Sequence, residues 1–203
     1  MVPPILLKDK FTWSNKRYPW ALDLFKQHRK MFWTEDMVQM GPDITDFNTR
    51  LTKTERYIFT TIMKLFTQGD IAVARSYSKL YMPYFHRPEL SMMLASFADR
   101  ESTHVAAYAY AIETLGYRDS IFDEFLDINV LRNKYDYYEG RSMREHKPGS
   151  RDWYLDMLKN IAVFAAFTEG FHLFSTFAVL LSFKPEGVMM GTGTITEWSL
   201  KDK

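Results

Sequence analysis

An all-α fold, a bundle of unusually long helices, is what this chain of 203 residues predicts, and three observations predict it. Val, Ile and Thr do not alternate with polar residues over any long window, so strand signals are nearly absent. Long stretches instead carry apolar residues at helical spacing. Between them, Pro and Gly stand where helices start or stop. The sequence has no internal repeat at a period of roughly 20 to 50 residues and no low-complexity segment, so a single domain over residues 1–203 is expected.

The first amphipathic helix is expected from about Tyr18 to Phe32, with Ala21, Leu22 and Phe25 on one face. Gly41-Pro42-Asp43 and the polar run to Asn48 read as a loop. Thr52 or Thr54 can cap the second helix, and Glu55 stands where a capping box from Thr52 needs it. That helix should reach about Tyr81, where Pro83 stops it. Pro88 suits the first turn of a third helix and Gly116 its end. A shorter helix from about Asp119 to Tyr135 precedes a charged loop, Glu139 to Arg151, that contains Pro148-Gly149. The fifth and most apolar helix spans about Asp152 to Phe183 and breaks at Lys184-Pro185-Glu186-Gly187. Its 161–183 stretch is long enough to pass for a membrane span, yet Thr168, Glu169, His172, Ser175 and Thr176 lie at its middle. Ionisable groups are rare at mid-span in lipid, so a central helix buried in protein is the expectation, without a membrane.

Composition narrows the function classes. A content of 46% apolar and 16% aromatic residues supports a substantial core. A net charge of +1 gives no general reason to expect nucleic acid or an anionic membrane as partner. The chain has no cysteine, which removes disulfides, thiolate metal ligands and thiol nucleophiles. Met1-Val2-Pro3-Pro4 places two prolines where a secretory signal has a basic start and an apolar stretch, so a cytoplasmic location is expected.

The chemistry concentrates at Glu101-Ser-Thr-His104, followed one helical turn later by Tyr108. On an α-helix these steps leave the three side chains within roughly 60° of one face, so a carboxylate, an imidazole and a phenol point the same way; Tyr110 points elsewhere. Two further acids interrupt apolar helical runs. Asp70 lies between Ile62-Met63, Leu65-Phe66 and Ile71-Ala72-Val73-Ala74. Glu169 and His172 are the only ionisable residues between Lys159 and Lys184. A buried, unpaired carboxylate costs several kcal/mol even after relaxation, and three together repel unless protonated or neutralised by a cation. A bound hard or borderline metal ion removes that cost. Taken alone, Glu101 and His104 are weak evidence, since a Glu-x-x-His match arises by chance on the order of a few tenths of a time in such a length.

With these residues the chain resembles the small, radical-generating subunit of class I ribonucleotide reductase, a ferritin-like family. The resemblance runs from the Phe32-Trp33 pair through Asp70, Glu101-Ser-Thr-His104, Tyr108 and Glu169 to Trp198-Ser-Leu-Lys-Asp202. It implies a ferritin-like long-helix bundle in which Asp70, Glu101, His104 and Glu169 are the first four ligands of a dinuclear iron or manganese/iron site. Imidazole plus carboxylate suits either metal. The resemblance further implies that Tyr108 is the radical tyrosine and that Trp33 and Asp202 are the long-range electron-transfer pair meeting the metal-bound histidine. The implied activity is oxygen activation and one-electron oxidation of the tyrosine. The oxidising equivalent then serves a large subunit that reduces ribonucleotides to deoxyribonucleotides, and the small subunit is expected to be a homodimer. Glu169-Gly-Phe-His172 repeats the Glu-x-x-His spacing, but the family pattern makes Glu169 a lone carboxylate and leaves His172 a core or supporting histidine.

The departure from the family is at the end, where the bundle is incomplete at the C-terminus. Lys203 falls where the fourth carboxylate belongs, and the sequence stops before the second motif's histidine. Either the chain is a fragment of a longer subunit, or Lys203 is a genuine substitution in a truncated relative. Its ammonium could neutralise part of the charge of three carboxylates. Competing expectations are a stand-alone ferritin-like di-metal oxidase and a non-catalytic helical dimerisation module. His28, His86 and His146 lie in polar contexts and are expected to be solvated.

Overall fold

The computed structural model describes residues 7, 10, 12–141 and 146–203; the Met1-Val2-Pro3-Pro4 start and part of the Glu139–Arg151 loop lie outside them. No strand occurs among the described residues. Helix α1 is Pro19–His28, shorter than the expected Tyr18–Phe32, because the chain turns over Arg29 to Met31 and leaves Phe32 70% exposed. Gly41–Thr49, read from sequence as a loop, is helix α2. Pro42 sits in its first turn, a position where proline's missing N–H is harmless.

Helix α3, Lys53–Ser76, is opened by Thr52: its side chain accepts from the Glu55 N–H while the Glu55 carboxylate accepts from the Thr52 N–H. It runs on through a π turn, Tyr77–Tyr81, to the expected stop at Pro83. Helix α4, Pro88–Thr114, starts and ends as the sequence implies, with Gly116 left-handed at φ 85°. The expected Asp119–Tyr135 helix is instead two 3₁₀ turns, Asp119–Phe122 and Glu124–Asp127, followed by α5 over Asn129–Glu139. Helix α6, Arg151–Ile161, continues without interruption as a π segment, Ala162–Leu173, and then as α7, Phe174–Leu181. A short turn at Lys184–Glu186 and a left-handed Gly187 break it. A last helix absent from the sequence reading, α8, spans Met190–Asp202.

Helices α3 and α4 form the central antiparallel pair; α1 lies on α4, and α8 packs against α7, α2 and α4. Two apolar clusters hold the rods together. One gathers Phe59, Met63, Phe66, Tyr108, Phe177 and Ile195, the other Val73, Leu80, Leu94, Trp153, Met157 and Phe164. Each such buried side chain contributes about 1.5–3 kcal/mol. The seam between the clusters falls at Asp70 on α3, at Glu101 and His104 on α4 and at Glu169 in the π segment. Apolar packing on either side therefore fixes the place of the polar groups.

The long α6–α7 helix is not the buried central helix expected from its composition. Only 28% of its most apolar window is buried, and Phe167 and Phe171 are 66% and 72% exposed. The helix meets α3 and α8, and α5 reaches it through Lys134 and Tyr138, but Phe167 and Phe171 stay largely exposed.

Candidate metal centre

The helix geometry of α4 brings Glu101 and His104 side by side, with His104 Nδ1 3.1 Å from Glu101 Oε2. Asp70 arrives from α3, its Oδ2 3.7 Å from the same ring nitrogen. One donor atom from each of Asp70, Glu101 and His104 lies within 4.8 Å of the others, and all three side chains are buried. Asp70 Oδ2 is buried without a hydrogen-bond partner. Such an orphaned oxygen facing an imidazole and a carboxylate is a donor set without its acceptor. Glu169 stands on the other side of the cage, placed there by the π segment in which Thr168 Oγ1 donates to Val163 O, five residues back. Winding of this kind inside an α-helix frequently marks a functional position.

Helix α8 supplies the rest, and long-range contacts set where it starts. Asp43, fully buried on α2, accepts from Gly191 N at 2.8 Å, Thr192 N at 2.7 Å and Thr192 Oγ1 at 2.8 Å. Asp46 accepts from Met189 N at 3.0 Å. Both carboxylates thus cap a helix other than their own, at the end where the dipole favours negative charge. Position 191 must be glycine for this approach, since a Cβ there would lie 2.7 Å from Met40 Sδ and 2.8 Å from Gln39 O. So anchored, α8 carries Asp202 and Lys203 into the seam.

Asp202 Oδ2 accepts from Trp33 Nε1 at 2.8 Å and from His104 Nε2 at 3.1 Å. The Trp33 ring stacks on His104 with centroids 5.9 Å apart and planes 26° from parallel. Arg100 Nε lies 3.6 Å from the same Asp202 oxygen. His104 therefore has a carboxylate on each ring nitrogen. Burial alone would lower its pKa, but the hydrogen bonds to Asp202 and Glu101 raise it. Tyr108 is fully buried, and its hydroxyl lies beside the buried Ser199 hydroxyl without a well-formed hydrogen bond between them. Burial, and then the Asp70 carboxylate, push the phenol well above its usual range.

Lys203 is the centre of the charge cluster. Its Nζ lies 2.5 Å from Glu101 Oε2, 2.7 Å from Glu169 Oε2 and 3.6 Å from Asp70 Oδ1, and its side chain is only 4% exposed. Burial would raise the Glu101 carboxyl, but the Lys203 ammonium and then His104 hold it at about 2. For Asp70 and Glu169 burial wins over Lys203, and they are pushed up to about 6 and about 8. One ammonium does not compensate all three carboxylates.

The structure thus brings together Asp70, Glu101, His104, Glu169, Tyr108, Trp33 and Asp202. His172 lies elsewhere: Lys134 Nζ donates to its Nε2 at 2.7 Å, and burial followed by that ammonium lowers its pKa. His28, expected in solvent, is half-buried on Phe97 with ring centroids 4.6 Å apart, its Nδ1 buried and unpaired, beside a cavity of about 170 Å³ shared with Glu101, Glu169, Asp202 and Lys203. Helix α1 folds back on α4 and covers it. His86 is exposed, with its Nε2 2.6 Å from Pro83 O, and His146 stands 3.4 Å from Asp156. Arg100 was missed in the sequence, although a charge beside Glu101 in an apolar helix was the available signal.

A sequence profile of the family described as "Ribonucleotide reductase, small chain" matches residues 10–203. The chain is 38% identical over 204 residues to the probable ribonucleoside-diphosphate reductase small subunit 376L of Invertebrate iridescent virus 6, covering 98% of this chain and 57% of that protein. It is 33% identical over 207 residues to the corresponding protein 048L of Invertebrate iridescent virus 3, covering 98% and 55%. The chain therefore spans just over half the length of these relatives. Its fold superposes on a ribonucleotide reductase R2 subunit from Clostridium botulinum with a TM-score of 0.81 at 23% identity, over 94% of this chain and 59% of that one. An R2-like ligand-binding oxidase with an Mn/Fe cofactor gives a TM-score of 0.69 at 18% identity, over 95% and 66%.

Proposed function

This chain belongs to the ribonucleotide reductase small-chain family, and from that membership we propose that it is the radical-generating part of a ribonucleoside-diphosphate reductase small subunit. In this reading residues 1–203 form one ferritin-like domain, working in the cytoplasm as a homodimer with a large subunit that reduces ribonucleotides to deoxyribonucleotides. Neither nucleic acid nor a membrane is a partner.

The observation that carries the reading is the buried line from Trp33 through Asp202 to His104, which ends on the carboxylate cage beside Tyr108. An oxidase acting alone on a small substrate needs no such route, which favours the two-subunit reading over the stand-alone one. Tyr108 is the residue to be oxidised. Its hydroxyl has the Ser199 hydroxyl beside it, and the enclosing Phe66 and Phe177 rings keep water away from an oxidised ring. Asp202 holds the Trp33 Nε1 proton and the His104 Nε2 proton on one oxygen, so an electron leaving Trp33 can be matched by a proton moving along that carboxylate.

The donors fit one metal ion at Asp70, Glu101 and His104, held at His104 Nδ1 while Asp202 orients the ring from Nε2. Such an ion, iron or manganese, supplies the oxidising chemistry when bound. Among the described residues the donors do not complete the dinuclear iron or manganese/iron pair that the family resemblance implies, because the Lys203 ammonium stands between Glu101 and Glu169.

The test is electron paramagnetic resonance after anaerobic loading with Fe(II) or Mn(II) and exposure to oxygen. A tyrosyl signal that disappears in Tyr108→Phe is expected, together with ribonucleotide reduction when a matched large subunit is added. A signal unchanged in Tyr108→Phe would refute the assignment of the tyrosine. The absence of reduction with the large subunit would refute the subunit reading.

A further inference from the structure

We infer that Lys203 replaces the second metal ion, so that the site is built for one divalent ion flanked by a fixed ammonium. The inference rests on the reading above that Asp70, Glu101 and His104 form a metal donor set, and three independent features carry it further. The first is placement. A lysine side chain is ordinarily solvated, yet here it is nearly sealed from solvent, with its Nζ within 3.6 Å of three carboxylates from α3, α4 and the π segment. The second is the donors. On the Lys203 side the described residues offer Glu169 and shared oxygens of Glu101, and His172 is turned away to Lys134. Among the described residues only Asp70, Glu101 and His104 converge as a ligand group.

The third is charge. Asp70, Glu101, Glu169 and Asp202 carry four negative charges when ionised, and Lys203 and Arg100 carry two positive ones. With His104 neutral as a ligand, one divalent ion closes the sum over these six side chains to zero. A second would leave two uncompensated positive charges in a water-poor seam, a costly arrangement. The buried, partnerless Asp70 Oδ2 lies on the His104 side, where the one ion is expected.

The experiment counts metal on the full chain. Protein stripped with a chelator is loaded anaerobically with Mn(II) and desalted, and bound manganese is measured by mass spectrometry and by the Mn(II) paramagnetic signal. Lys203→Met and Lys203→Glu are treated alike, with circular dichroism melts to establish that each is folded. The wild type is expected to hold one ion per chain with an uncoupled Mn(II) spectrum. Lys203→Met, losing the ammonium without gaining a ligand, should hold one ion at least tenfold more tightly. Lys203→Glu should hold two, with a spin-coupled spectrum. Two ions in the wild type, manganese bound by Lys203→Met but not by the wild type, or a Lys203→Glu variant unchanged from wild type would each overturn the inference. No binding in any of the three proteins would overturn the metal reading itself, independently of the role given to Lys203.

Discussion

The carboxylate of Asp43 is where the position of α8, and with it of Asp202 and Lys203, is most exposed to a single substitution. Asp43→Ala removes an acceptor that takes three hydrogen bonds, from Gly191 N, Thr192 N and Thr192 Oγ1, at a residue with no solvent exposure. A hydrogen bond to a charged group contributes about 1.5–3 kcal/mol, and a buried donor left unmade carries its full desolvation cost. Helix-cap losses alone reach about 2 kcal/mol, and the three bonds are not additive. A loss of about 4 kcal/mol is therefore expected. For a domain of this size each kcal/mol lowers the melting temperature by about 2–4 °C, so the midpoint should fall by roughly 8–16 °C. Urea unfolding followed by circular dichroism measures it, with an unchanged m-value showing that stability rather than compactness has changed. Asp43→Asn, which keeps an acceptor oxygen without the charge, should lose about half as much. Asp46→Ala, which removes a cap bond to Met189 and a half-exposed pair with Arg50, should lose less still. A cost below about 1 kcal/mol for Asp43→Ala would refute the argument that this carboxylate anchors α8.

Tyr108→Phe removes a buried hydroxyl that lies beside Ser199 without a well-formed hydrogen bond, so stability should stay within about 1 kcal/mol in the same titration, while the tyrosyl signal is lost; a marked destabilisation would mean that the hydroxyl is bonded. Trp33→Phe keeps an aromatic ring but deletes the donor to Asp202, and should leave radical formation intact while lowering ribonucleotide reduction with the large subunit about a hundredfold or more; equal loss of both would place Trp33 in radical formation instead. Stability of the metal-free protein should fall as pH rises from about 5 to about 8.5, because Glu169, pushed up to about 8, keeps its proton in the folded chain after the unfolded chain has released it, so the unfolded state binds fewer protons. Below about 4.5 the sign reverses, since Glu101 and Glu89, both held at about 2, contribute stability that is lost as they protonate. Urea midpoints across pH check both limbs, and Glu169→Gln should flatten the upper one; a Glu169→Gln protein with the same slope would place the titration elsewhere.

Features under the control of local geometry were legible in the residues alone. The Thr52–Glu55 capping box, the stop at Pro83, the start at Pro88 and the left-handed end at Gly116 each involve neighbours within a turn, and all are in place. The shared face of Glu101, His104 and Tyr108 follows from α-helical periodicity in the same way. Acids set in apolar runs also gave away Asp70 and Glu169, since burial without compensation costs too much to be accidental.

The remaining features depend on which distant segment returns to a given place, and so emerge only once the helices have packed. Gly41-Pro42-Asp43 reads locally as a turn, but its carboxylate serves a helix start 148 residues on, which no window over the sequence can connect. The apolar composition of α6–α7 could not say that Phe167 and Phe171 stay largely exposed, because burial is a property of what packs against a helix and not of the helix itself. His28 sits in a polar run, yet the docking of α1 on α4 half-buries it beside the cage. Lys203 is one lysine among many until α8 is anchored; then the fields of three carboxylates converge on its ammonium, and the charge of the site becomes a sum over helices far apart in the chain.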